Sequence, residues 1–374
     1  MATDGTLPSK QKAAQFHPKD QTVHINEVPI PSIKPDELLV KVRAASLCHS
    51  DLMLFEPNEQ GLNLGSGEPF TMVYTPTASP RLSLINPQGH EGCGTVLEVG
   101  SQAQGFTKGD RVGWLPIVDC CFECEACQVH NLYCETGQSK VQGMTVDGYF
   151  QTYCAVKWQN AAKIPDGMDL DSSAPIFCAG ATAYNSVEAT HSELKGTPSD
   201  MFVAVIGCGG LGHLGIQYLK AHGYNVIGID LSPDALEEAK AQGADHVFNP
   251  SKDKDYVQQI RSITGKGCHA AINFTNSAPA YASTPDVIRY NGVLMVTGIP
   301  QKPIQFSGMD VSMLRIRVRG ANNGRTDQLR RCLEFSHKHG IKPHVTQFKL
   351  EEFQSMLDTM HEGKHKGRMG VLFD

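Results

Sequence analysis

The sequence predicts an α/β chain in two parts, a β-rich N-terminal half followed by a doubly wound parallel sheet. Three observations predict this. Short apolar runs punctuated by proline and glycine fill the first half. From Ala181 onward, strand-like and helix-like runs alternate. At 374 residues the chain exceeds what one core ordinarily supports and suits two domains.

The β-like runs of the first half are Thr22–Ile25, Leu38–Val42, "GTVLEVG" and "DRVGWL". In the second half "MFVAVIG" predicts a buried strand, "LGHLGIQYLKAHG" a helix and "NVIGID" a strand. "SPDALEEAKAQG" predicts a helix with a Ser-Pro start and a glycine stop. "GVLMVTGIP" and "RIRVRG" read as later strands, and "TDQLRRCLEFSHKHG" and "LEEFQSMLDTMHEG" as closing helices. The expected division is a first part over 1–178, a second over 179–318, and a segment 319–374 returning to the first.

Composition narrows the function. The net charge of -6, spread along the chain, argues against a nucleic acid or an anionic membrane as partner. No apolar run reaches the length of a bilayer span, and the first residues lack a secretory core. A cytoplasmic enzyme is expected. In such a reducing compartment a tight cysteine cluster points to metal rather than to disulfides.

"VAVIGCGGLGHLG" places Gly207, Gly209, Gly210, Leu211 and Gly212 directly after a strand and at the start of a helix. Glycines there permit a tight turn and close approach of backbone to a pyrophosphate, which rests on the helix N-terminus. Asp230 ends the next strand. Its carboxylate would accept ribose hydroxyls and repel a 2′-phosphate, so NAD(H) is expected over NADP(H).

Cys121, Cys124, Cys127 and Cys134 could wrap one tetrahedral ion. Zinc is expected, in a closed structural site, with an iron–sulfur centre as the rival and Cys120 as a spectator. Three other stretches carry candidate ligands: Cys48, His49, Ser50 and Asp51 in "SLCHSDLM", His90 and Glu91 in "GHEGCG", and Cys178 in "FCAGATAY". Two cysteines and one histidine would leave a fourth zinc position open to water or an alcohol oxygen.

With C-H-S-D, G-H-E-x-x-G, G-D-R-V-G, the cysteine lobe, C-A-G-A-T-A-Y, G-C-G-G-L-G and a late N-G-R in this order, the chain resembles the zinc-dependent medium-chain alcohol dehydrogenases over nearly its whole length. The resemblance implies a GroES-like catalytic domain followed by a Rossmann domain, and two Zn²⁺ per chain, one catalytic and one structural. It implies Cys48, His90 and Cys178 as catalytic zinc ligands, Glu91 as a nearby acid tuning the metal, and Asp51 as the carboxylate that holds His90. It also implies that Ser50 takes the hydroxyl proton of an alcohol whose carbinol hydride passes to nicotinamide. His49 and Arg325 resemble the cations that face the pyrophosphate, and Thr297, Gly298 and Ile299 resemble further cofactor contacts. Small alcohols and aldehydes are the implied substrates, and a homodimer or homotetramer the implied assembly. The rivals are an NADPH-dependent aldehyde reductase of the cinnamyl type and an inactive homologue. Met53 and Trp114 are expected to line the cleft.

The sequence departs from the family in three places. Met53 stands where many members carry a proton-relaying histidine. The loop between Cys127 and Cys134 is one residue shorter than usual. Cys48 and His90 are unusually far apart, and removing Val73 to Gln88 would join "GEPFTM" to "GHEGCG", a junction natural for the family. Valine codons begin GT and glutamine can be CAG, the ends of an intron. The segment 73–88 is therefore expected to be a retained in-frame intron, with a surface insertion as the alternative. An mRNA carrying these codons in every copy would reject the intron.

Overall fold

The computed structural model describes residues 7–17, 22–54, 89–300 and 302–374. The segment 73–88 and the side chain of Met53 lie outside the described residues.

Strand Phe202–Ile206 is the hub of the second half, an apolar run of β-branched and small residues that suits a strand covered on both faces. Around it a six-stranded parallel sheet forms, in the order His246–Phe248, Asn225–Ile229, Phe202–Ile206, Cys268–Asn273, Ile288–Val296 and Ile316–Gly320. Chain order reverses on either side of the hub, so a crevice opens at the C-terminal ends of Phe202–Ile206 and Cys268–Asn273. Helix Pro233–Ala241 begins as its sequence predicts, with Ser232 accepting from the Ala235 N–H and Pro233 in the first turn.

The first half is built round Glu37–Leu47, whose neighbours are Glu91–Val99 and Tyr153–Lys157. The C-terminal strand Arg368–Leu372 pairs antiparallel with its far end, and Val345–Phe348 pairs with Arg368–Leu372. The end of the chain thus completes the N-terminal sheet.

Two expectations about organisation are revised. The limit at 318 falls inside strand Ile316–Gly320, which belongs to the parallel sheet. The segment 319–374 also divides: Leu329, Cys332 and Leu333 of helix Thr326–His339 share a core with Leu214 and Tyr218 of the nucleotide-binding half. Only the chain after that helix enters the N-terminal sheet. Trp114 is fully buried in the core of the N-terminal half, edge-on to Tyr149 at 4.9 Å, and does not line a cleft. In strand Arg111–Trp114 alternation puts Val112 and Trp114 on the same inward face.

Candidate active site

Cys48 follows the last residue of strand Glu37–Leu47, where the chain turns into the short helix His49–Leu54. Asp51, on that helix, has one carboxylate oxygen accepting the Cys48 N–H at 2.9 Å and the other 2.6 Å from His90 Nδ1. One buried acid therefore fixes both residues, and it leaves Nε2 of His90 turned toward Cys178. His90 lies between Gly89 and strand Glu91–Val99, and Gly89 has φ +86, with the ring of Phe150 where a Cβ would stand. Cys178 occupies the junction between the short helix Ala174–Phe177 and helix Ala179–Glu193.

These elements bring one donor atom each from Cys48, His90, Glu91 and Cys178 within 4.8 Å of one another. His90 Nε2 is 3.2 Å from Cys178 Sγ, and Ser50 Oγ is 3.9 Å from Cys48 Sγ. Two thiols and an imidazole, gathered and largely shut off from water, fit the donor preference of zinc. The Cys178 interaction and the charges of Arg368 and His90 hold the Cys48 thiol well below its usual range, although burial opposes this. Burial disfavours the charged ring of His90, but Asp51 and Cys48 outweigh it and hold its pKa well above the ordinary value.

Glu91 is fully buried and differs from the other three. Its carboxylate accepts from Ser46 Oγ at 2.5 Å and from the Ala179 N–H at 3.3 Å, and it forms an ion pair with Arg368. Burial pushes it up to about 7, against the pull of that guanidinium. Arg368, itself only 3% exposed, lies over the glycine turn: a Cβ on Gly210 would meet its Cδ and Nη1 at 2.8 Å. Its Nε is buried without a hydrogen-bond partner among the described residues. A donor of this kind beside a glycine turn suits a phosphate oxygen.

The turn has the form that the sequence predicts. Gly207 has φ +85, and a Cβ on Gly212 would overlap its carbonyl oxygen at 1.9 Å, whereas a Cβ on Gly209 would meet nothing within 4 Å. The backbone at Gly209 is thus open to a ligand. Leu211 leads into helix Gly212–Ala221. Asp230 accepts the N–H groups of Cys208 at 2.7 Å and Ser232 at 2.8 Å, tying the turn to the end of the neighbouring strand. Thr297, Gly298 and Ile299 follow strand Ile288–Val296 on the same edge of the sheet. Thr297 Oγ1 meets Ser186 Oγ at 2.9 Å, and Gly298 and Ile299 line an apolar cavity of about 370 Å³. His49 is exposed, its Nε2 2.9 Å from Asn276 Nδ2 on the nucleotide-binding half.

Arg325 does not join this group. Its guanidinium binds Asp327, with Nε 3.0 Å from Oδ1, and donates to the carbonyl of Gln128, so it braces the cysteine lobe against the start of a helix. Arg368, not Arg325, is the arginine beside the glycine turn. An arginine at the head of the apolar run "RMGVLF" was the available signal, since a cation there requires a buried partner.

In the cysteine lobe Cys121, Cys124, Cys127 and Cys134 bring their sulfurs within 4.8 Å of one another, so the shortened loop still closes. The sulfurs also accept backbone N–H groups: Cys121 N to Cys134 at 3.2 Å, and Cys124 N to Cys121 at 3.4 Å. Burial opposes ionisation of Cys134, but hydrogen bonds from Thr136 and the Cys121 N–H bring it down to about 6. Cys120 stays outside the cluster, its thiol pushed up to about 12 chiefly by burial.

Residues 34–166 match the family model for an alcohol dehydrogenase GroES-like domain, and residues 210–338 match that for a zinc-binding dehydrogenase. An alcohol dehydrogenase of Geobacillus stearothermophilus is 33% identical over 365 residues, covering 96% of this chain and 98% of that protein. The crystal structure of the alcohol dehydrogenase from the archaeon Aeropyrum pernix matches with a TM-score of 0.81 at 27% identity, over 97% of this chain and 100% of that one. The acetophenone reductase of Geotrichum candidum, solved in complex with NAD, shares the fold at 22% identity, with a TM-score of 0.77 over 98% of each chain. The chain belongs to the zinc-dependent medium-chain alcohol dehydrogenase family.

Proposed function

We propose that this protein is an NAD-dependent alcohol dehydrogenase, interconverting a primary or secondary alcohol with its aldehyde or ketone. The observation that carries the reading is the gathering of Cys48, His90 and Cys178 beside a glycine turn, with Arg368 between the two. Zinc, when held by these three residues, supplies a Lewis acid that lowers the pKa of an alcohol or polarises a carbonyl. The protein's own groups do the rest. Asp51 holds His90 with Nε2 free to ligate. Ser50 takes the hydroxyl proton. Glu91 and Arg368 balance charge beneath the site. The open backbone at Gly209, with Arg368 and His49, receives the pyrophosphate, and Asp230 receives the adenosine ribose. Cys121, Cys124, Cys127 and Cys134 hold a second, structural zinc.

Cofactor choice supplies the direct test. The Asp230 carboxylate at the ribose position would face a 2′-phosphate with like charge, so kcat/KM is expected to favour NAD⁺ over NADP⁺ by at least roughly tenfold. Asp230→Ser should erase most of that ratio by weakening NAD⁺ and admitting NADP⁺. Turnover preferring NADP⁺ in the unaltered protein would favour the cinnamyl-type reading instead.

A cytoplasmic location and a homo-oligomeric state complete the proposal. All twelve cysteines are free, which suits a reducing compartment, and no described helix is long and apolar enough to cross a membrane. Strand Ile316–Gly320 is an edge of the parallel sheet, and Tyr290, Met309, Met313 and Leu314 near it are 81%, 67%, 71% and 57% exposed. An open edge flanked by apolar surface suits pairing with a second copy. Met313→Glu combined with Leu314→Glu is expected to shift the mass measured by sedimentation to that of a monomer; an unchanged oligomer places the interface elsewhere.

A further inference from the structure

His213, one position beyond the last glycine of the turn, is fully buried although most of its neighbours on the helix are apolar. Both ring nitrogens are used. Nδ1 lies 3.1 Å from the carbonyl oxygen of Gly209, and Nε2 accepts the backbone N–H of His344 at 3.2 Å. Gly209 O also accepts the backbone N–H of His213 at 3.0 Å, so two donors from one residue hold this carbonyl of the turn.

The second bond leads to the metal site. His344 O accepts the Arg368 N–H at 2.8 Å, and Gly367 is folded against His344 with φ +58. The His344 ring is anchored in turn, its Nδ1 2.9 Å from Glu238 Oε2 on the helix that follows Asp230. The unbroken sequence of contacts runs from Gly209 through His213, His344 and Arg368 to Glu91.

We propose that His213 is a positioning residue for the dinucleotide, setting Arg368 against the glycine turn through the two hydrogen bonds of its ring. The proposal rests on the reading of that turn as the dinucleotide site. Burial, outweighing the bond to Gly209, lowers the His213 pKa to about 4, which keeps one nitrogen a donor and the other an acceptor at neutral pH. A plain docking role is separable, because Gln217, one helical turn on, also ties the same segment: its Nε2 donates to Lys342 O at 3.0 Å and its Oε1 accepts Lys342 N–H at 3.1 Å. Gln217 has no hydrogen bond to the glycine turn among the described residues.

The experiment is NADH binding followed by fluorescence titration, on intact metal-loaded protein, with thermal unfolding measured alongside. His213→Gln and His213→Asn each keep part of the bonding, and each is expected to raise the NADH dissociation constant about five- to tenfold, the worth of a hydrogen bond. Gln217→Ala should lower the melting temperature and leave the dissociation constant within about twofold. In an Arg368→Met background the His213→Gln effect should shrink to less than about twofold, since the residue it acts through is gone. Unchanged NADH affinity in both His213 variants overturns the proposal, as does an equal loss in Gln217→Ala or an undiminished effect in Arg368→Met. Failure of the unaltered protein to bind NADH would instead overturn the dinucleotide reading of the turn.

Discussion

Cys178→Ser is expected to lower kcat/KM for alcohol oxidation by roughly three orders of magnitude or more, because Lewis-acid stabilisation of several kcal/mol would be lost with the metal. Metal analysis should fall from about two zinc ions per chain to one, since the cysteine lobe uses a separate set of sulfurs. The fold should survive: Cys178 lies at a junction between helices and is not part of an apolar core cluster. A variant that retains both ions and full turnover would exclude Cys178 as a catalytic ligand. One that loses both ions would mean the two clusters do not bind independently.

Arg368→Met should be the most destabilising single change in the site. Its partner Glu91 is completely buried, and removing one member of such a pair typically costs about 3–5 kcal/mol. Glu91 is already pushed up to about 7 with the guanidinium beside it, so the lone carboxyl is expected to take up a proton. Denaturant unfolding should show the loss, and Arg368→Met combined with Glu91→Gln should recover much of it by removing both charges. The KM for NAD⁺ should rise in both variants, because neither retains the cation above Gly210. Equal stability of the single variant and the parent would mean that the pair contributes nothing to the fold.

Much of this site was legible because its parts are local. The glycine turn and the cysteine lobe each bring their chemistry within a few residues, so spacing announces them, whereas Cys48, His90 and Cys178 are far apart and are joined only by the order of motifs shared with the family. Arg368 was not legible, since its partners Glu91 and Gly210 come from distant parts of the chain and meet only when the last strand pairs with Glu37–Leu47. Arg325, in a more conspicuous motif, is instead used to brace the cysteine lobe. Trp114 misled for a related reason: aromatic character near a cleft motif does not tell which face of a strand looks inward until register is known. The limit of the parallel sheet was misplaced by two residues because the glycine that ends "RIRVRG", Gly320, is not a stop but the last paired residue of the strand.

The late position of strand Arg368–Leu372 in the sequence has a consequence for synthesis. Cys48, His90 and Cys178 all leave the ribosome before the parallel sheet is made, so the emerging chain can gather these candidate ligands early. The counter-charge of Glu91 and the strand that covers the end of Glu37–Leu47 come only with Arg368–Leu372, after the parallel sheet. Until then the nascent N-terminal domain has an unpaired strand edge and an uncompensated buried acid, a state open to aggregation. Synthesis of strand Arg368–Leu372, rather than completion of the parallel sheet, is the event that brings Arg368 to Glu91.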